Sequence, residues 1–183
     1  MARRINAYLL DCTAVVNNLL DRADRLHAIT QRVGFALWQL QELEAVAATY
    51  FVLATQAHQG MGLEAGNALE KEAKKKTFGN TIRRMKASGL LGEELGSRFE
   101  NLLSERNWLV HNSRSDSRNA IHHDTVASRA ISRIEWIAEE ARLLLNEVGA
   151  NVDIFVKGAG VSEQFIARTT EALLQEWHAE DAI

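Results

Sequence analysis

Three side chains within six residues of this chain are suited to chemistry on phosphate. Arg106, Asn107 and His111 lie in a segment that otherwise has the pattern of an apolar helix. A guanidinium keeps its positive charge throughout the physiological pH range, whereas an imidazole takes up and releases protons near neutrality. An Arg can therefore neutralise charge that builds on a phosphate, and a His can take a proton from an attacking hydroxyl or give one to a leaving group. The pattern predicts a site for phosphate chemistry.

The segment resembles the signature of the HEPN domain family, in which an Arg is followed by a polar residue, a few further positions and a His. Asn107 is the polar residue here, and four residues separate Arg106 from His111. The resemblance implies a helical bundle and, in members that keep the motif, a metal-independent endoribonuclease active as a dimer. It also implies a toxin or phage-defence ribonuclease, which a nucleotidyltransferase-type antitoxin or regulatory partner restrains in many relatives.

On this resemblance we predict cleavage of RNA without a metal by a homodimer. One His111 is predicted to deprotonate a ribose 2′-hydroxyl, and the His111 of a second copy to protonate the departing 5′-oxygen. Arg106 is predicted to stabilise the charged transition state, and Asn107 to orient His111 or to bind a phosphate oxygen.

Helix geometry bears on whether one chain can form this site alone. Positions 106 and 111 lie about 140° apart around an α-helix and about 7.5 Å apart along it, so Arg106 and His111 diverge. Asn107 and His111 are four residues apart and share one face. Either the helix ends before His111 and the chain turns this residue back, or a second copy completes the site. The resemblance implies the second arrangement.

A non-catalytic interpretation of the motif stands beside the enzymatic one. Arg106 can form a surface ion pair with Glu105 or Glu100, and His111 can cap the helix end, where the helix dipole favours a cation. The chain would then be a helical interaction or antitoxin-like module that binds a protein or nucleotide partner. A nucleotide-binding sensor that uses the same basic pocket is a third, weaker interpretation. Trp108 is predicted to be a core or dimer-contact residue.

Positive charge is concentrated in one segment, although the net charge of −3 gives no general argument for a nucleic-acid binder. Residues 71–86 hold seven Lys and Arg against a single acid, Glu72. Such a segment is by default a solvated helical face, and as a functional feature it would guide an RNA backbone. The residues predicted to bind RNA are Lys74, Lys75, Lys76, Arg83, Arg84, Arg114 and Arg118.

No metal or cofactor is predicted. His122, His123 and Asp124 are adjacent, but the spacings of zinc and di-iron sites are missing from the sequence. No Gly-rich phosphate loop and no Gly-x-Ser-x-Gly occurs, which removes the usual markers of ATPases, dehydrogenases and hydrolases. Cys12 is the only cysteine and cannot form an internal disulfide, so we expect a cytoplasmic protein. No stretch approaches the roughly 18 uncharged apolar residues of a membrane span, so we also expect the protein to be soluble.

The elements that must position the motif are helices. The 183 residues include no proline, which favours long uninterrupted helices, and we predict one all-α domain over residues 1–183. The expected architecture is an up-and-down bundle of the HEPN type with four to six helices. A first helix over about 6–30 is expected to merge with or abut a second one. That second helix carries two adjacent apolar stripes, one of Val33, Leu37, Leu40, Ala47, Phe51 and Ala54 and one of Leu43, Val46, Tyr50 and Leu53.

The later helices have clear local signals. Thr77 is expected to cap a helix over 78–88 that Gly89 ends, and the motif helix is expected to begin near Glu93. A long periodic segment over 127–148 is expected to stop at Gly149, with 152–156 as a helix extension or packed connector. A last amphipathic helix over 162–178 either closes the bundle or forms an oligomer contact.

Overall fold

The computed structural model describes residues 2–58 and 60–180, and side chains over 21–58 and 60–178; the predictions made for Cys12 fall outside the described side chains. The part of the chain that it describes is helical and has no strand. The helices are α1 Ala2–Thr55, α2 Leu63–Lys74, α3 Phe78–Ala87, α4 Glu93–His111, α5 Ser113–Asp116, α6 Asp124–Gly158 and α7 Glu163–Glu180. The all-α prediction is confirmed.

The seven helices of the described residues exceed the predicted four to six. The two helices expected over the first 55 residues are one continuous helix, because the apolar stripes continue and no proline interrupts them. Two further helices, α2 and α5, form in segments for which no helix was predicted. Lys74 pairs with Glu70 one turn away within α2, and α5 is a single short turn after the motif.

Helices α1 and α6 form the framework of the bundle and run in the same direction. Arg25 pairs with Asp124 at 2.5 Å, and Arg32 pairs with Glu135 at 2.6 Å, so the order of the contacts is the same along both helices. Both predicted stripes of α1 are buried or half-buried. The largest fully buried side chains come from α1, α3, α4 and α6: Leu40, Leu43, Met85, Phe99, Leu102, Ile134, Ile137, Leu144 and Val148.

Helix α4 runs antiparallel to α6 and packs against α3 as well. Arg98 near its start bonds to Glu140 at 2.8 Å and to Glu147 at 2.7 Å, whereas Glu105 near its end bonds to Arg133. The α3 contact is aromatic. Phe78 and Phe99 meet edge to face, with ring centroids 6.0 Å apart. Helix α4 is therefore fixed by neighbours on two sides.

The predicted start and end of α3 are confirmed by its cap residues. The Thr77 hydroxyl accepts a hydrogen bond from the backbone N–H of Asn80 at 3.4 Å. Gly89 has φ 74°, a conformation that glycine adopts without steric cost and that ends helices. α3 stops at Ala87, within one residue of the predicted end.

In the C-terminal third, the predicted end of α6 was wrong, and one of the two alternatives for α7 is excluded. Helix α6 passes Gly149 and ends at Gly158, because Val148 and Val152 on either side pack on the core and outweigh the cost of about 1 kcal/mol for an interior glycine. Residues 152–156 are thus a helix extension. Helix α7 does not close the bundle, since Phe165 is 52% exposed and Trp177 is 63% exposed. Its apolar face stays a predicted oligomer contact.

No helix in the described part of the chain is both long enough and apolar enough to cross a lipid bilayer.

Candidate functional site

The motif lies in the last two turns of α4, as predicted. α4 ends at His111, and the backbone N–H of Asn112 still bonds to the Trp108 carbonyl at 2.8 Å. His111 is therefore helical, and the chain does not turn it back toward Arg106. Within one subunit the two side chains keep the divergence of about 140° that a regular helix imposes. Of the two routes to a joint Arg–His site, only completion by a second copy is compatible with this helix.

Arg106 faces α1. Its Nε donates to Glu44 Oε1 at 3.0 Å, and the side chains of this pair are 30% and 26% exposed. The predicted partners were wrong, because both are taken by other cations: Glu105 binds Arg133, and Glu100 binds Lys86. Arg106 is thus tied to the N-terminal helix by one bond through Nε.

His111 and Asn107 occupy the outer face of α4. Both are exposed, and within the described side chains neither forms a hydrogen bond or an ion pair. They are four residues apart, so they lie above one another on this face, as predicted. The imidazole is open to solvent and to any approaching substrate or second copy, and the Asn107 amide lies one turn away.

Trp108 belongs to a network that joins α4, α5 and α6. Its indole N–H donates to Asp116 at 2.8 Å, and the Arg133 guanidinium lies over its ring at 3.6 Å. Arg133 also grips Glu105 through two nitrogens, at 2.6 and 2.9 Å. These hydrogen bonds raise the pKa of Arg133 above its ordinary value. Trp108 also packs against the core, so the core interpretation of this residue holds in part.

A shallow groove of about 430 Å³ follows this network between α4 and α6. Trp136 is 47% exposed at its α6 wall. The charges of Glu105 and Arg133 compensate each other there. The groove is lined by Asn101, Ser104, Glu105, Arg133 and Trp136.

The basic segment over 71–86 is partly neutralised. Lys74 pairs with Glu70 at 2.6 Å, and Lys75 pairs with Glu72. Hydrogen bonds from Lys74 and then from Thr49 lower the pKa of Glu70.

Three other cations of this segment differ in their surroundings. The Arg84 guanidinium lies over the Phe51 ring at 4.2 Å and is half-buried. Lys76 and Arg83 are exposed and form no ion pair within the described side chains. Gly79, in the first turn of α3, lies against Leu103 of α4. The beginning of α3 therefore meets α4 three residues before the motif starts.

Arg114 and Arg118 follow the motif directly. Arg114 lies on α5 and Arg118 in the turn after it; both are exposed, and neither pairs with a carboxylate among the described residues. Ser113 ties this segment to α4, because its hydroxyl bonds to the Leu109 carbonyl at 2.6 Å. Of the residues predicted to bind RNA, these two lie closest in sequence to His111 and carry uncompensated charge.

His122 and His123 are exposed, and Asp124 is bound to Arg25. Across the described side chains, no three His, Cys, Asp or Glu residues cluster as a metal site requires.

Sequence reasoning missed Glu44 and Arg133, the two residues that hold the end of α4. Glu44 carried a usable signal. It lies between Leu43 and Ala47, in a helix whose apolar stripes predict burial, and a carboxylate in such a place needs a cationic partner. No such signal marked Arg133, because its sequence context on α6 is that of an ordinary exposed arginine in a helix.

Comparison with known proteins assigns no family to the chain. No family model, curated protein or solved structure matches the chain.

Proposed function

We propose that the protein is a metal-independent endoribonuclease of the toxin or defence type, active as a homodimer. The observation that carries the proposal is the state of His111: an exposed imidazole without a partner among the described side chains, with Asn107 on the same face. An acid–base residue must be free to exchange its proton and to reach substrate. The intact Arg-Asn-x-x-x-His spacing and the helical bundle support the same conclusion.

The reaction is a transesterification at phosphorus. His111 of one copy takes the proton of a ribose 2′-hydroxyl, and the 2′-oxygen attacks the adjacent phosphorus. The bond from phosphorus to the 5′-oxygen breaks, and the leaving oxygen receives a proton from His111 of the other copy. Arg106 donates hydrogen bonds to the phosphoryl oxygens, and Asn107 orients the imidazole or binds one of these oxygens. The products are a 2′,3′-cyclic phosphate and a 5′-hydroxyl.

The exposed cations around the motif suit the polyanionic substrate. Arg114 and Arg118 would bind phosphates on one side of the scissile bond, and the segment with Lys74, Lys75, Lys76, Arg83 and Arg84 would guide a more distant part of the strand. A protein antitoxin or regulator is a natural further partner for such an enzyme.

A non-catalytic interaction module is the second candidate, and one observation favours it. The ion pair between Arg106 and Glu44 joins α4 to α1, which is what a purely structural arginine would do. The module would bind a protein or nucleotide partner, and His111 would serve only to complement the helix dipole.

Incubation with labelled single-stranded RNA in excess EDTA separates the two candidates. The nuclease proposal expects cleavage of RNA and none of DNA, because DNA lacks the 2′-hydroxyl, with 2′,3′-cyclic phosphate ends that mass spectrometry detects. Intact RNA at high enzyme concentration would favour the module. Light scattering during the same assay should report a dimer, and full cleavage by a monomer would contradict a composite site.

A further inference from the structure

The way in which Arg106 is held differs from every other carboxylate-paired arginine among the described side chains. Each of the others also uses a terminal nitrogen: Arg25 to the Ile121 carbonyl, Arg32 to the Ala28 carbonyl, Arg98 to Glu147, Arg133 to Glu105 and Arg142 to Glu139. Arg106 is bonded through Nε alone, to Glu44. Both of its terminal amino groups are left without a hydrogen bond inside the described part of the chain.

A guanidinium held at Nε presents its two terminal N–H groups as a fixed fork. Such a fork matches the oxygens of a phosphate, with two parallel hydrogen bonds. The Arg106 side chain is 30% exposed, so it is not sealed off from solvent. An arginine that only joined two helices would gain more from a bidentate grip, and Arg133 on the neighbouring Glu105 has that geometry.

The anchor itself is rigid. Glu44 lies on α1 between side chains that are fully buried, Leu43 and Ala47 at 0% exposure and Leu40 at 1%. A binding group is held to catalytic tolerance only when its support is itself locked by packing. Glu44 therefore sits where a support for Arg106 is needed, beside fully buried side chains of α1.

We propose that Glu44 is a positioning residue, which holds Arg106 by its Nε so that the terminal amino groups bind the phosphate undergoing transfer. The proposal rests on the proposed ribonuclease function. It assigns to the ion pair a purpose beyond joining α4 to α1. It also accounts for the placement of a carboxylate beside a phosphate-binding arginine, where its charge alone would oppose the substrate.

The charge and the position of Glu44 have opposite effects on kinetics, so its removal is diagnostic. Glu44→Ala takes a negative charge away from the phosphate site, and the KM for RNA should stay equal or fall. The guanidinium loses its anchor, and because a misplacement of about 1 Å can cost 10²-fold, kcat should fall about 10- to 100-fold. Glu44→Gln keeps an oxygen that accepts the Nε–H, and it should restore most of kcat.

Glu135→Ala is the matched control. It removes another interhelical pair that involves α1 and an arginine Nε, Arg32 to Glu135 at 2.6 Å, away from the motif. It should change the melting temperature without changing kcat. An unchanged kcat in Glu44→Ala would overturn the proposal in favour of a structural role. A raised kcat would overturn it in favour of autoinhibition.

A measurement that needs no cleavage keeps this inference separate from the function. In nitrogen-15 NMR of arginine side chains, inorganic phosphate should shift the Arg106 terminal nitrogens as two separate signals in wild type and Glu44→Gln, where the fork is held in place. In Glu44→Ala, phosphate should shift a single averaged signal, because the guanidinium binds but rotates freely. The same result in a protein that cleaves no RNA would overturn the ribonuclease and leave the anchored fork standing. Cleavage of RNA with no phosphate shift at Arg106 in wild type would overturn the fork alone.

Discussion

The two sides of α4 at its C-terminal end are built differently, although Glu105 and Arg106 are sequence neighbours. On the α6 side, Glu105 and Trp108 share Arg133 in a bidentate and stacked contact. On the α1 side, Arg106 has one bond, to Glu44. The first side uses up the hydrogen-bonding capacity of its groups, as a structural contact does. The second side holds a cation in place and leaves most of its donors open.

His111 differs from both sides, because it has no partner among the described side chains. One helix end thus carries a saturated contact, an anchored cation and a free imidazole. Substitutions should sort accordingly, with large catalytic effects from the open groups and effects on stability from the saturated ones.

His111→Ala should have the largest effect. Loss of a general acid–base group typically lowers the rate 10²- to 10⁴-fold, whereas an exposed His at a helix end contributes at most about 1 kcal/mol to stability. Cleavage of a labelled RNA and calorimetric melting measure the two quantities. A protein that melts well below wild type, or one that cleaves RNA at the wild-type rate, would return His111 to the role of a helix cap.

Arg106→Lys tests the anchored cation and should rank second. A lysine keeps the charge but lacks the planar fork, and loss of an oxyanion donor costs about 10²- to 10³-fold in kcat. Stability should change little, since only one partly exposed hydrogen bond is lost. A normal rate in this variant would mean that charge suffices and that the geometry of Arg106 is irrelevant.

Arg133→Lys tests the saturated side and should show the reverse pattern. It loses the bidentate grip and weakens the stacking on Trp108, a partly exposed contact worth about 0.5 to 1 kcal/mol. For a chain of this size, such a loss corresponds to a melting temperature lower by about 2 to 4 °C per kcal/mol. We expect kcat to stay at the wild-type value. A loss of kcat comparable to that of Arg106→Lys would erase the distinction between the two sides.

Local signals in the sequence predicted the elements that carry the site. The cap at Thr77, the glycine at 89 and the start of α4 at Glu93 are encoded within a few residues, and the structure confirms them. The bond between Glu44 and Arg106 joins residues 62 positions apart and depends on how α4 packs on α1. No periodicity fixes that packing, so the partner of Arg106 was predicted wrongly. The end of α6 was predicted wrongly at Gly149 for a related reason, because tertiary packing outweighs the low helix propensity of glycine.

Simultaneous replacement of Lys74, Lys75 and Lys76 by Ala should affect binding more than chemistry. RNA affinity should fall at low salt and converge with wild type as salt rises, while kcat at saturation stays nearly intact. Since Lys74 and Lys75 are already paired with Glu70 and Glu72, the salt slope should change by less than the full value for three charges. Fluorescence anisotropy of an RNA with 2′-O-methyl groups measures this slope. An equal loss of affinity at all salt concentrations would show that the variant acts through the fold.

Glu70→Gln should produce the smallest effect, and only in acid. Hydrogen bonds from Lys74 and Thr49 lower the pKa of Glu70 below the ordinary 4.5, so the folded state favours the carboxylate form. The contribution of ionised Glu70 to the stability of the fold is therefore complete above that ordinary pKa. It is lost as the pH falls toward the lower pKa that Glu70 has in the folded state. The side chain is 32% exposed, so solvent screening keeps the contribution below about 1 kcal/mol. As the pH falls below the ordinary 4.5, the melting temperature of wild type should fall more steeply than that of the variant. Glu72→Gln is the control, because it removes the more exposed carboxylate of the neighbouring pair. It should reduce the acid dependence of the melting temperature less than Glu70→Gln does. A larger reduction in Glu72→Gln would show that the hydrogen bond from Thr49 on α1 to Glu70 on α2 adds nothing to the pairing.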